Sequence, residues 1–301
     1  MPIKLPADLP AFDVLKSERV AVMSDDRAAK QDIRPLEIAI LNLMPEKIKT
    51  ETQFARLLGN SPIQVSLTLM QTGTYAPKNT DKAHLNAFYQ PFAELADRRF
   101  DGLIITGAPV ETLAFEEVKY WPELAQIFDW ARGNVFSTFN VCWGAQAALY
   151  HHYGVPKYEL SAKRFGIYEH VNRHPRSDIM RGINDRFAMP VSRHTENKAE
   201  DFPSHLQVLA DSPGSGVGMV ADWQAHDFYV FNHLEYDRET LRTEYERDLE
   251  KGAEIDLPHN YFPGDDPSQT PPNMWRAFAA VVFQNWLNFV YQGTPYDLND
   301  L

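Results

Sequence analysis

The sequence predicts an α/β fold with a mostly parallel sheet flanked by helices. Three observations carry this. From residue 36 onward, β-branched and aliphatic runs alternate with helical stretches. The run Val135-Phe136-Ser137-Thr138-Phe139-Asn140-Val141 ends at Cys142 and passes at once into Trp143-Gly144-Ala145-Gln146-Ala147-Ala148, a strand turning sharply into a helix. The composition, 44% hydrophobic and 12% aromatic, is that of a folded globular chain.

Taken in order, residues 1–35 carry four prolines and many charges without a sustained period. They read as an arm packed on the core, with 36–301 as a single α/β domain. Leu36-Glu37-Ile38-Ala39-Ile40-Leu41-Asn42-Leu43 is a strand, followed by a helix over 46–58 that Gly59-Asn60 closes. A second strand is expected over 63–70, a helix over 81–97 and a third strand over 100–107. A helix over 116–132 then leads into the cysteine strand. Such alternation calls for parallel strands with helices on both faces. Ligands of such sheets sit at the carboxyl ends of the strands, where 106–111 and Cys142 meet.

Beyond Tyr153 the pattern changes. Residues 157–170 and 186–193 read as irregular strands and loops, and 206–210, 217–223 and 228–231 as an antiparallel group. Gly214-Ser215-Gly216-Val217-Gly218 has the look of a phosphate loop, but it opens a strand and not a helix, which argues against a nucleotide site. A charged helix follows over 239–251, then a proline-rich loop over 258–272 and a closing helix. Residues 274–291 are apolar, yet Arg276, Gln284, Asn285 and Asn288 interrupt them, so they read as a buried amphipathic helix rather than a membrane span.

The formal charge of −12 argues against nonspecific nucleic-acid binding and against an anionic membrane surface. One cysteine excludes an internal disulfide and a multi-cysteine zinc site, so a reducing compartment fits. The N-terminus lacks the apolar stretch of a signal peptide. A cytoplasmic protein is expected.

Cys142 has two readings, a small buried hydrophobe or a nucleophile at a helix N-terminus, whose partial charge favours the thiolate. Gly144 is expected to allow a tight turn there, and Asn140 to tolerate unusual backbone angles. A thiol nucleophile needs a base within reach and a group to orient that base. Of ten histidines, His84, His205, His226 and His259 read as solvated, and His151 and His152 as the polar end of the elbow helix. His233 differs, because it directly follows a strand and Glu235 lies two residues on. If the chain stays extended through Glu235, both side chains fall on one face. The alternative is a surface histidine beside a surface glutamate.

The parallel sheet, the cysteine elbow and the later His-x-Glu together resemble the class I glutamine amidotransferase-like architecture, with its flavodoxin-like core. Ile104-Ile105-Thr106-Gly107-Ala108-Pro109, Tyr120-Trp121-Pro122, Val141-Cys142-Trp143, Tyr168-Glu169-His170 and His233-x-Glu235-Tyr236-Asp237 narrow the likeness. So does Asn42-Leu43-Met44-Pro45 with Lys47. The chain resembles the homoserine O-acyltransferase family of methionine biosynthesis over residues 1–292. Asn232 stands where that family often has glycine before the histidine.

The resemblance implies that Cys142 takes an acyl group from an acyl-CoA as a thioester, with His233 as base and Glu235 orienting it. It implies an oxyanion site at the backbone N–H of Trp143 and of the 106–109 loop. Lys163, Ser192 and Arg247 are implied contacts of the amino-acid acceptor, with His170 and Arg193 nearby; without the family, each is an ordinary surface residue. Glutamate at Glu111 resembles the acetyl-CoA users and glycine the succinyl-CoA users, so the expected reaction is transfer of acetyl from acetyl-CoA to L-homoserine. No metal or bound cofactor is implied, and a homodimer is. The rivals are homoserine O-succinyltransfer, a thiol hydrolase or amidotransferase on the same scaffold, and a catalytically silent binding module.

Overall fold

The computed structural model describes residues 3–18, 20, 22–24, 34–74 and 80–301. Its centre is a parallel array made of β3 (Leu36–Leu41), β4 (Val65–Gln71), β6 (Phe100–Ile105), β7 (Val135–Val141) and β12 (Asp227–Val230). The order across the array is β4-β3-β6-β7-β12. The connecting helices are α2 (Lys47–Gly59), α5 (Trp121–Asn134) and α6 (Trp143–Tyr153).

The period-two alternation of the strands sorts the core into two layers. Ile38, Ile40, Ile104, Phe139, Phe228 and Val230 face one way, against α1 (Pro10–Ser17), α2 and the closing helix α8 (Arg276–Gly293). Ala39, Leu41, Leu103, Ile105, Tyr229 and Phe231 face the other, against α5 and α6. Helices therefore cover both faces, as parallel strands buried on both sides require. Among the described residues no helix is long and apolar enough to cross a membrane; α8 buries Val282, Phe283, Trp286 and Val290 in the core.

Several elements differ from the sequence reading. The span 81–97 is not one helix: α3 (Lys82–Phe88) gives way to β5 (Tyr89–Pro91), which pairs with β4, and then to the short α4 (Phe92–Leu95). Pro91 lacks the N–H to continue a helix and stands as the N-cap of α4. The span 157–170 is not irregular but the start of a 15-residue strand, β8 (Tyr158–Asn172), antiparallel to β9 (Arg186–Glu196). Its broken alternation reflects a register irregularity between Glu159 and Arg164. β10 (Gln207–Ser212) and β11 (Gly216–Asp222) join β8 and β9 to β12, so the antiparallel group extends the central sheet. In the N-terminal segment, β1 (Ile3–Lys4) pairs in parallel with β4 and with β2 (Val22–Met23). The remainder of that segment lies partly outside the described residues.

Register positions the site. β7 and β12 run in parallel with Val141 opposite Val230, and the Cys142 N–H donates to the Val230 carbonyl at 2.7 Å. The two chains therefore leave the sheet at the same level. Cys142 itself adopts φ 52° and ψ −120°, so the unusual backbone falls on the nucleophile candidate and not on Asn140, which stays within β7. Gly144 serves a close approach rather than a turn. It lies inside α6, and a Cβ there would stand 2.6 Å from the Thr106 carbonyl oxygen and 2.9 Å from that of Ile105. The first turn of α6 thus rests on the end of β6. Gly144→Ala is expected to destabilise the fold by about 1–3 kcal/mol through overpacking against backbone. An unchanged urea midpoint would show that α6 does not bear on β6 there.

Candidate active site

Cys142, His233 and Glu111 line one pocket of about 250 Å³, together with Lys163, Ser192 and Arg247. Cys142 caps α6 without a side-chain capping bond, so its sulfur faces the pocket and not the helix amides. The first amides of a helix have no intrahelical acceptor, which leaves the Trp143 N–H aimed outward beside the thiol. Gly107 closes the other side. A Cβ on it would lie 3.1 Å from the Cys142 Cβ and 3.7 Å from its Sγ, so a side chain there would crowd the Cys142 Cβ and cover one side of the sulfur.

His233 and Glu235 meet, though not by strand alternation. β12 ends at Val230, and Glu235 lies in a turn closed by the Tyr236 N–H on the His233 carbonyl. The turn brings His233 Nδ1 to 2.7 Å from Glu235 Oε1, with both groups buried. A carboxylate can only accept, so Nδ1 carries the proton and Nε2 is left free toward Cys142, which lines the same pocket. Burial works against a charge on His233, but Cys142 and then Glu235 outweigh it and hold the imidazole well above the ordinary histidine range. The Tyr236 ring stacks on the imidazole at 4.1 Å and 17°.

Glu244 sits opposite and takes three donors: the Ser192 hydroxyl at 2.6 Å, the Tyr236 hydroxyl at 2.5 Å and Lys163 Nζ at 3.3 Å. Burial would raise its pKa, yet Lys163 first and then these hydroxyls hold it below the usual carboxylate range. Lys163 also pairs with Asp248 at 2.9 Å, as does Arg247 through Nε at 2.8 Å. Lys163 and Ser192 are therefore parts of a charged cradle and not ordinary surface residues. Glu244 and Tyr236 were given no role from sequence. Glu244 lies three residues before Arg247 on α7 (Thr240–Glu250), hence on the same helix face, which was the signal available.

Glu111 faces the pocket rather than capping a helix from solvent. Its Oε1 accepts from the His194 N–H at 3.2 Å, and burial, only partly opposed by His194, raises its pKa. His170 and Arg193 do not line this pocket. His170 is fully buried; its Nδ1 donates to the Tyr168 carbonyl at 3.0 Å and its Nε2 accepts from Asn232 at 2.9 Å. Burial lowers its pKa to about 4, so it is neutral. Arg193 donates to Asn232 Oδ1 at 2.6 Å, and to the Phe231 and Ser215 carbonyls. Asn232 thus bridges two buried groups and braces the segment that leads to His233. His84 is another correction: it is buried, 3.1 Å from Glu51 Oε2.

Residues 2–296 match the family model described as homoserine O-succinyltransferase. Relatives named homoserine O-acetyltransferase include those of Clostridium beijerinckii and Acetivibrio thermocellus, each 54% identical over the whole of both chains. That of Rhizobium leguminosarum is 52% identical over all of this chain and 99% of the relative. A glutamine amidotransferase from Thermotoga maritima superposes with a TM-score of 0.57 at 12% identity, covering 87% of this chain and all of that one. A glutamine amidotransferase from Methylobacillus flagellatus gives 0.54 at 14%, covering 85% of this chain and 95% of that one. These structures establish the class I glutamine amidotransferase fold and nothing finer.

Glu235→Gln removes the negative charge that favours the imidazolium, so the pKa of His233 is expected to fall. A histidine NMR titration reads this directly, and an unmoved His233 resonance would mean that Glu235 orients the ring without tuning it.

Proposed function

The chain belongs to the homoserine O-succinyltransferase family, and from that premise we propose that it transfers an acetyl group from acetyl-CoA to the hydroxyl of L-homoserine. Cys142 attacks the thioester carbonyl; the new sulfur–acyl bond forms as the bond to the coenzyme sulfur breaks. The His233 imidazolium gives its proton to the leaving thiolate. Homoserine then enters, His233 takes the proton from its hydroxyl, and the oxygen displaces Cys142 from the acyl carbon. Glu235 keeps the ring oriented and offsets its charge in both halves. The oxyanion takes the Trp143 N–H and one from Gly107 or Ala108 in the 106–109 loop, since the Thr106 N–H donates to the Leu41 carbonyl and Pro109 has none. The same reading takes the chain as a cytoplasmic homodimer that needs no cofactor.

The acceptor fits the cradle. An α-carboxylate needs a cation and an α-ammonium needs an anion, and Arg247 and Glu244 line one wall of the pocket. The match supports an amino-acid substrate, and the family and the names of the relatives favour acyl transfer to homoserine over hydrolysis of glutamine, which is a zwitterion too.

Glu111 carries the choice of donor. A succinyl group would bring a second carboxylate into a pocket that the half-buried Glu111 already lines, and like charges a few ångströms apart in a partly desolvated site cost several kcal/mol. Lys163, the lysine of the pocket, is already held by Glu244 and Asp248, and Arg193 is turned away into Asn232 and two carbonyls. The acetyl group is uncharged and smaller. The names of the relatives at 52–54% identity support the same choice.

The test is product formation from L-homoserine with each donor. The wild-type protein should yield O-acetyl-L-homoserine efficiently and the succinyl ester poorly. Glu111→Gly should shift the ratio of kcat/KM values toward succinyl-CoA by tenfold or more, about 1.4 kcal/mol. A wild-type preference for succinyl-CoA would overturn the donor assignment.

A further inference from the structure

The catalytic pocket, at about 250 Å³, falls below the ~300–1,000 Å³ typical of sites that enclose a drug-sized ligand. It accommodates an acyl group and a small amino acid, but the rest of a coenzyme thioester has to leave through one of its openings. Two depressions adjoin it. The first, of about 380 Å³, shares Met44 and Pro109 with the catalytic pocket and runs between the loop after β3 and the loop after β6. The second is larger, about 1,620 Å³, and shares Lys163, His194 and Arg247.

Charge separates them. Glu159, Asp248, Glu254, Asp256 and Asp265 line the larger depression, and its two cations, Lys163 and Arg247, are already paired with acids. A polyphosphate entering there would meet a field of its own sign. The smaller groove has apolar walls from Leu43, Val110, Leu113 and Val118, with the exposed Lys119 beside a single acid, Glu117; Lys47 lies buried at its base and donates to the Asn42 carbonyl. Leu113 is 42% exposed on that wall, a large apolar side chain with uncovered surface. Gln71 supplies an amide at the same wall. Apolar walls with few polar partners suit a chain of methylenes punctuated by amides, and the exposed Lys119 suits the phosphates beyond it.

We propose that the groove bounded by Met44, Pro109, Val110 and Leu113 seats the pantetheine arm of the acyl-CoA, with the phosphates directed toward Lys119. This rests on the acyltransferase reading above and adds to it the route by which the donor reaches Cys142. One loop then serves both ends of the donor. Glu111 faces the acyl group on one side of the 106–113 segment, while Val110 and Leu113 wall the arm on the other.

Leu113→Glu places a charge in the groove at an exposed position, and Ala253→Glu does the same in the acidic depression. Each variant is assayed with acetyl-CoA and with 4-nitrophenyl acetate, a donor that has no pantetheine arm. Leu113→Glu should raise the KM for acetyl-CoA at least tenfold and leave acylation by 4-nitrophenyl acetate within twofold of wild type. Ala253→Glu should change neither. An unaltered acetyl-CoA KM in Leu113→Glu, or a raised one in Ala253→Glu, overturns the groove assignment while the acyltransferase stands. A wild-type protein acylated by 4-nitrophenyl acetate but never by acetyl-CoA refutes the acyltransferase reading itself, and the groove with it.

Discussion

The catalytic edge depends on one backbone constraint, the left-handed turn at Cys142 between β7 and α6. A non-glycine residue at φ 52° and ψ −120° is held there at a cost of order 1–3 kcal/mol. The surroundings fix it from three sides: the 2.7 Å bond from its N–H to Val230, the seat of Gly144 on the end of β6, and the contact of Gly107 with its side chain. A relaxed turn would carry the sulfur away from both His233 and the Trp143 amide. Under the proposed mechanism the strain has a use, because it sets the thiol between His233 and the Trp143 amide before any substrate arrives.

Around that turn the pocket divides by polarity. On the side of α7, Glu244, Lys163, Ser192 and Arg247 form a charged cradle. On the side of the loop after β6, Gly107, Ala108 and Glu111 leave a small space with one half-buried carboxyl group. Tyr236 links the halves, stacked on His233 and bonded to Glu244. The register of β7 against β12 makes the junction possible, since both strands end level at the same edge of the sheet.

The parallel core was legible because its strands alternate apolar residues or run fully buried, and both patterns survive in the sequence. The elbow was legible for the same reason, and Cys142 stood out as a candidate nucleophile because the chain has a single cysteine. The interruption at Pro91 was masked by helical residues on both sides of it. The length of β8 was hidden by its register shift, which breaks the alternation that marks a strand. The His233–Glu235 pair was found through a mistaken route: the spacing suggested a strand face, whereas a turn joins them. Glu244 and Arg193 were the hardest to assign. Their roles come from burial among partners distant in sequence, and a charge in a helix or strand carries no mark of that. Asn140 and Gly144 show the limit of residue-type rules, since the strained angles fell on Cys142 and the glycine was needed for contact.

The central claim is that Cys142 carries the acyl group in a form that homoserine can remove. Intact-mass measurement after exposure to acetyl-CoA alone tests this most directly. The protein should gain the mass of a single acetyl group, absent in Cys142→Ala, and lose it when L-homoserine is added. Turnover by Cys142→Ala, or a wild-type protein that forms product without ever gaining that mass, would contradict the account.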